Sequence, residues 1–219
     1  LFTTSALAVP FLQLDASDGV YIGGDEESIQ PTTNPFTLYA LVDPSRKAWD
    51  GYGEPYYLSI ALISDSGPVL DYDPSEAGFF TITGFGLDPV SSVDVDPSAA
   101  EYGIPPLGLD SNPGLLGPHD VFPTYYWELG FNFDPGKIAE EYNTQDNPGG
   151  LVVDDVLGLN YRDFVIALNL NDGYHLHFDL YNKDGSKIDK FAPFSHDVTT
   201  NGVPEPSTVL LLGLGLIGL

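Results

Sequence analysis

The sequence predicts an all-β protein, a single β-sandwich of jelly-roll or immunoglobulin-like type with long loops rich in Asp, Gly and Pro. Segments of alternating hydrophobicity recur along the 219 residues, and their period of two is that of half-buried strands. The composition includes 13 Phe, 13 Tyr, 24 Gly and 19 Pro, which suits short strands and frequent turns. Of the acids, 23 are Asp and 9 are Glu, and Asp favours turns over helices.

Seven to nine strands are predicted, and one of them has apolar or small residues on both faces. That segment, 56–64, is expected to be a central strand covered on both sides. Two turn motifs, Asn171-Asp172-Gly173 and the stretch 182–185, predict hairpins. The period-two segments lie at 11–16, 35–43, 56–64, 78–85, 124–133, 163–170, 174–182 and, as a short edge strand, 187–194.

Two further stretches complete the predicted domain, which extends over residues 9–200. Residues 135–143 are predicted to form one or two helical turns. The stretch from about 87 to 120 is rich in Pro, Gly and Asp, and a loop of this length is unusual in a compact domain. We expect it to be an elaborated surface loop that carries function or an ion.

The charge is strongly acidic, with 7 basic and 32 acidic residues and a net charge of −25. Such a chain repels nucleic acids and anionic lipid head groups, so neither is expected as a partner. It attracts cations, and calcium is the candidate because carboxylate and carbonyl oxygens are its ligands. The simpler interpretation is a salt-tolerant, soluble acidic surface. The absence of Cys excludes disulfides, thiol catalysis and Cys-based zinc sites.

The N-terminal residues resemble the end of a secretory signal. Ala6-Leu7-Ala8 has the small-x-small form of a signal-peptidase site, so residues 1–8 are predicted to be a signal remnant, with an ordinary N-terminal strand as the alternative. The sequence contains no Met, and we expect it to be processed or a piece of a longer chain.

The C-terminal residues 201–219 combine the sequence VPEPST with an apolar run that extends to Leu219, and in this order they resemble a PEP-CTERM sorting signal. That signal has a Pro-Glu-Pro motif, a transmembrane helix and an Arg-rich end. Here the apolar run is too short to span a bilayer and the Arg-rich end is missing, so we expect truncation. The motif residues are Val203, Pro204, Glu205, Pro206, Ser207 and Thr208.

This resemblance implies the location of the protein. It implies secretion to the cell envelope, cell surface or extracellular matrix of a Gram-negative, exopolysaccharide-producing bacterium. An exosortase-type enzyme is the implied transient partner, exopolysaccharide is a further candidate partner, and membrane contact is expected only through the tail before processing.

The body shows a second resemblance. The order of FTLYAL, YYLSIAL, EYNTQDNPGG, HFDLYNKD and FAPFSHD is similar to that of the choice-of-anchor N proteins, which are secreted domains joined to alternative sorting signals. The similarity extends from about residue 12 to 198. It implies one β-rich secreted domain and supplies no catalytic residue.

Pairs of oxygen ligands in the Asp-rich loops are the predicted calcium sites. Each pair is also compatible with an ordinary solvated turn. Gly149 and Gly150 would allow backbone carbonyls to turn towards an ion beside the last pair. The pairs are Asp71 with Asp73, Asp94 with Asp96, Asp110 with Asn112, and Asp146 with Asn147.

A second predicted metal site uses histidine. His175 and His177 are two apart on one predicted strand, so their rings share a face, and Asp179 lies on that face too. If the following hairpin returns the chain, His196 and Asp197 join them, which suits zinc or another metal that binds imidazole. The alternative is that this side is the solvated face of an amphipathic strand.

The expected function is that of a non-enzymatic structural or adhesive protein of an exopolysaccharide-rich biofilm. No catalytic residue is assigned, because the chain has no G-x-S-x-G motif and its many acids make any carboxylate pair uninformative. A calcium-dependent carbohydrate-binding module is the alternative, with Tyr125, Tyr126 and Trp127, or Trp49 with Tyr52, as stacking candidates. A glycan-active hydrolase is the third. Apart from the metal of the predicted histidine site, calcium is the only cofactor expected.

Overall fold

The structure is a computed structural model in which almost all regular structure is β. It describes residues 10–22, 28–67, 69, 73–84, 92–94, 100–105, 123–140, 144, 152, 158–185, 187–193 and 197–200. One short helix, α1 (Pro74–Ala77), lies among the strands. The strands are β1 (Leu12–Ala16), β2 (Gly19–Ile22), β3 (Ser28–Pro31), β4 (Phe36–Val42), β5 (Tyr56–Ser64), β6 (Gly78–Thr83), β7 (Ser92–Asp94), β8 (Glu101–Gly103), β9 (Thr124–Phe131), β10 (Ile138–Ala139), β11 (Leu159–Leu170), β12 (Tyr174–Asp184), β13 (Lys187–Phe191) and β14 (Val198–Thr199).

The strands form two sheets, as the prediction of a sandwich requires. The first sheet has the order β1-β4-β11-β6-β7, with β10 paired to β11. The second has the order β2-β3-β14-β12-β5-β9-β8, with β13 paired to β12. The pairing of β14 with β3 is parallel, whereas the other pairs described are antiparallel.

The hydrophobic core lies between the two sheets and combines side chains from both. Strands β4 and β5 supply it by alternation, as predicted, and the opposite face of β5 is also buried at Ser59 and Ala61. Edge-to-face aromatic pairs bridge the sheets, an arrangement that adds about 0.5–1.5 kcal/mol to simple burial. The bridging pairs are Phe36 with Phe178, Phe80 with Trp127, and Phe131 with Phe164.

The prediction of a hairpin at Asn171-Asp172-Gly173 is wrong. β11 and β12, on either side of this turn, belong to different sheets, so the turn carries the chain from the first sheet to the second. Asn171 holds it against α1, because its backbone N–H donates to the Ala77 carbonyl at 3.1 Å and its side-chain amide donates to the Glu76 carbonyl at 2.8 Å. The second predicted hairpin is confirmed, since β12 and β13 pair around Gly185.

The helix predicted at 135–143 is also wrong for the residues described there. Ile138 and Ala139 form β10 and pair with Asn160 and Leu159 of β11. The polar start of this stretch makes a turn in which the Gly136 N–H donates to Asp134 Oδ1 at 2.8 Å. Residues 141–143 lie outside the described part of the chain, as do the predicted signal remnant 1–8, the tail 201–219 and most of 87–120.

Candidate functional site

Polar side chains share the outer face of the second sheet where β12, β5 and β14 lie side by side. His177 and Asp179 alternate on β12 with residues that face the core. β14 pairs antiparallel with β12, and Thr199 lies opposite His177. Continuing this register by two residues places Asp197 beside Asp179.

Three of these side chains converge, and we call His177, Asp179 and Asp197 the His–Asp cluster. The ring Nε2 of His177 lies 3.3 Å from Asp179 Oδ1 and 3.6 Å from Asp197 Oδ2. One ligand atom from each residue falls within 4.8 Å of the other two. The cluster therefore presents one imidazole nitrogen and two carboxylates to a common point, a donor set suited to a divalent metal ion.

The orientation of the imidazole is fixed from its other side. The Thr199 hydroxyl oxygen lies 2.7 Å from His177 Nδ1. Because this hydrogen bond occupies Nδ1, the ring directs Nε2 at the two carboxylates. Thr199 belongs to β14 and Asp197 directly precedes this strand, so one short segment supplies both a member of the cluster and the group that orients its histidine.

The cluster is largely removed from solvent. The side chains of His177, Asp179 and Asp197 are 14%, 11% and 3% exposed. The interpretation of this side of β12 as a solvated face is therefore wrong at these positions. Carboxylates at such burial require a compensating positive charge or hydrogen bonds.

A second polar group adjoins the cluster on the same face. The Tyr181 hydroxyl donates to Glu128 Oε2 at 2.6 Å, and Lys183 forms an ion pair with Glu128. Burial raises the pKa of Tyr181 far above its ordinary range, and the charge of Glu128 raises it further. Burial and the neighbouring Glu101 raise the pKa of Tyr126 in the same way. Both phenols are therefore neutral hydrogen-bond donors at neutral pH.

A comparison with family models identifies the other functional segment. The PEP-CTERM protein-sorting motif matches residues 202–219. The chain carries a PEP-CTERM sorting signal. The PEP-CTERM motif predicted at Val203–Thr208 is thereby confirmed, and it implies export to the cell envelope or surface and recognition by an exosortase. No curated protein and no solved structure matches the chain, so the resemblance to choice-of-anchor N proteins has no support from these comparisons.

The domain that carries the PEP-CTERM signal contains no helix, within its described residues, that is long and apolar enough to cross a membrane. The last described strand, β14, ends at Thr199, and the match begins at residue 202. Asp197 of the His–Asp cluster therefore lies only a few residues before the sorting signal.

The predicted histidine site is brought together in part. His177 and Asp197 converge as predicted, and Asp179 completes the cluster. His175 instead lies beside Asp65, with 3.5 Å between Nδ1 and Oδ1. His196 lies outside the described residues.

The predicted calcium pairs fall almost entirely outside the described part of the chain. Asp73 is described and exposed, and its carbonyl accepts the backbone N–H groups of Glu76 and Ala77 at the start of α1. Asp94 lies in β7, where only the backbone is described. The calcium positions outside the described residues are Asp71, Asp96, Asp110, Asn112, Asp146 and Asn147.

Two residues of this face were not identified from the sequence. Thr199 orients His177, and Ser59 lies directly opposite Asp179 on the neighbouring strand β5. Ser59 lies on the predicted second face of β5, whereas β14 is too short for a period to indicate the face of Thr199. Only the pairing of β12 with both β5 and β14 brings them to the cluster.

Proposed function

We propose that this protein is a non-enzymatic structural or adhesive component of the surface or matrix of an exopolysaccharide-producing bacterium. The observation that supports the proposal is the sorting signal at 202–219, which follows the last strand of the sandwich almost without a linker. A domain joined in this way is exported to the location that its sorting signal specifies. From the sequence resemblance alone, we also propose that the body is a choice-of-anchor N domain.

The charge of the chain constrains what the domain adheres to. With a net charge of −25, it repels other polyanions. Adhesion to the matrix therefore uses neutral glycans, or acidic glycans joined through divalent cations. Exopolysaccharide is the partner that we propose on this basis.

A calcium-dependent carbohydrate-binding module is the second candidate, and one exposed aromatic pair favours it. Tyr102 is 44% exposed, and its ring centroid lies 5.1 Å from that of Tyr125 at the edge of the second sheet. Of the stacking candidates that the sequence predicts, Tyr126 and Trp127 are buried and Trp49 stacks on Tyr56. A glycan array with and without calcium separates this candidate from the structural role. A binding module should bind a defined glycan in the presence of calcium, and Tyr102→Ala should abolish that binding.

The structural proposal is tested by exchanging the body and keeping the signal. In the native bacterium, an inert reporter domain replaces residues 9–200, while 201–219 remain. We expect the reporter to reach the cell surface and the cohesion of the biofilm to fall. Unchanged cohesion would reject a structural or adhesive role, and a change in exopolysaccharide chain length would favour the third candidate, a glycan-active hydrolase.

A further inference from the structure

We propose that the His–Asp cluster is a binding site for one divalent first-row transition-metal ion of the zinc class. The ligands are His177 Nε2 and one carboxylate oxygen each from Asp179 and Asp197. The site is independent of the proposed matrix role. It joins the last strand before the sorting signal to the middle of the second sheet.

Two negatively charged side chains lie close together in the cluster. The register of β12 and β14 puts the carboxylates of Asp179 and Asp197 side by side on adjacent strands. Like charges directly opposite each other destabilise a sheet, and burial increases their repulsion by lowering the local dielectric constant. A divalent cation between the two carboxylates converts this repulsion into attraction.

The distances between the ligand atoms fit a tetrahedral zinc site. Ligands at roughly 2.0–2.2 Å from zinc in a tetrahedral site are about 3.4 Å apart. The two measured separations from His177 Nε2, 3.3 Å to Asp179 and 3.6 Å to Asp197, fall on either side of this value. The remaining separation is within 4.8 Å, so a rotation of one carboxylate closes the site.

The imidazole of His177 is held by a hydrogen bond at its second ring nitrogen. Metal-binding histidines commonly use their second ring nitrogen for a hydrogen bond that fixes the ring. The bond of 2.7 Å between His177 Nδ1 and Thr199 is of this kind. It leaves Nε2 as the nitrogen that faces the carboxylates.

A buried hydroxyl group lies next to the cluster. Ser59 lies opposite Asp179 on β5 and is 0% exposed. Among the described residues its Oγ has no hydrogen-bond partner. A buried hydroxyl in that condition costs free energy, and a water bound as the fourth ligand of the metal would provide its partner.

The donor set selects the class of metal. Imidazole with carboxylates suits zinc and its neighbours, whereas calcium takes six to eight oxygen ligands. The ion supplies a cross-link between β12 and β14, which are otherwise joined over the two pairs His177–Thr199 and Phe178–Val198 and by hydrogen bonds between Thr200 and Leu176. Binding therefore stabilises the strand from which the sorting signal emerges.

The test uses the 219-residue chain stripped with chelator and titrated with zinc chloride, with calcium and magnesium chlorides as comparison ions. Native mass spectrometry gives the stoichiometry, and thermal unfolding gives the stabilisation. We expect one zinc per chain and a rise in Tm of about 5–10 °C when zinc exceeds Kd a hundredfold. Calcium and magnesium at the same concentration raise Tm less than zinc does, and their smaller effect does not depend on His177, because the acidic chain also attracts cations outside the cluster.

Matched variants distinguish the cluster from general cation binding by an acidic surface. His177→Gln and Asp197→Asn remove the rise, whereas His175→Gln, on the same face of the same strand, keeps it. Thr199→Val retains the ligands and weakens zinc binding by about 10–100-fold. If His175→Gln abolishes the zinc-dependent rise in Tm to the same extent as His177→Gln, the assignment of the ligands is overturned.

A measurement on the unmodified chain covers the case in which the variants fail to fold. Nitrogen-15 NMR of the four histidine side chains follows each ring nitrogen as zinc is added. We expect Nε2 of His177 to shift in proportion to bound zinc while both nitrogens of His175 stay in place. If the NMR signal of His177 Nε2 does not shift, or if Tm does not respond to zinc, this imidazole pairs with the carboxylates without a metal. The proposal then fails.

Discussion

Phe79 and Phe80 are neighbours on β6 that lie on opposite sides of the first sheet. Substituting each of them tests whether the two sheets pack face to face. Phe80 is 4% exposed and meets the edge of Trp127, in the other sheet, at 5.0 Å between ring centroids. Phe79 is 50% exposed. Replacing Phe80 with Ala leaves a cavity between the sheets and is expected to cost about 3–5 kcal/mol. Because full burial of a Phe contributes about 1.5–3 kcal/mol, Phe79→Ala is expected to cost only roughly 1 kcal/mol.

Urea unfolding of the 219-residue chain measures both losses. The dependence of the free energy of unfolding on urea should be the same in both variants, so that the midpoints report stability directly. A double-mutant cycle of Phe80→Ala with Trp127→Ala should give a coupling of about 0.5–1.5 kcal/mol. Equal losses for Phe79→Ala and Phe80→Ala, or a coupling near zero, would refute the packing of the two sheets described above.

Two further predictions concern a buried phenol and a glycine. Tyr181 keeps its proton in the folded protein because burial and Glu128 raise its pKa, so the free energy of unfolding should fall as pH rises above about 10, where an unfolded Tyr ionises. Tyr181→Phe should reduce this fall by about 1.4 kcal/mol per pH unit. Urea titrations at several alkaline pH values measure the slope of the free energy of unfolding against pH, and the same slope in the variant would contradict the raised pKa of Tyr181. Gly78 has φ +86° and a Cβ there would meet the Asn169 carbonyl oxygen, so Gly78→Ala should lower stability by at least about 2 kcal/mol. Gly173→Ala is the control, since its φ of +81° is similar but no atom lies within 4 Å of a Cβ at this position. Thermal unfolding should show a loss of stability of about 1 kcal/mol for the control. Similar losses in both variants would contradict the close approach of Gly78 to the Asn169 carbonyl oxygen.

The sequence predicted the long strands because their burial alternates with the strand period. In β4, Phe36, Leu38, Ala40 and Val42 face the core as expected. β5 was predicted to be covered on both sides, and Ser59 on its second face is buried. Period-two patterns are local, and they report correctly which side of a strand is apolar.

Pairing between distant strands could not be predicted from those patterns. Asn171-Asp172-Gly173 has the composition of a hairpin turn, yet it connects the two sheets because β11 pairs with β4 and β6 instead of β12. The short strands β10 and β14 have two residues each, too few for a period to be seen. Their positions depend on their partners.

The candidate site shows the same division between local and long-range information. The alternation of His177 and Asp179 was visible in the sequence, as was the presence of Asp197 after the next segment. That Asp197 lies beside Asp179, and that Thr199 orients the ring, follows from the pairing of β14 with β12. The sorting signal was identifiable because its residues are contiguous.

The most direct test of the central claim, that this domain is exported and processed through its C-terminal signal, is mass spectrometry of the protein recovered from the outside of native cells. We expect a mature C-terminus at or near Pro204–Thr208, with the apolar run Val209–Leu219 removed. Surface protein that still carries Val209–Leu219 would contradict it.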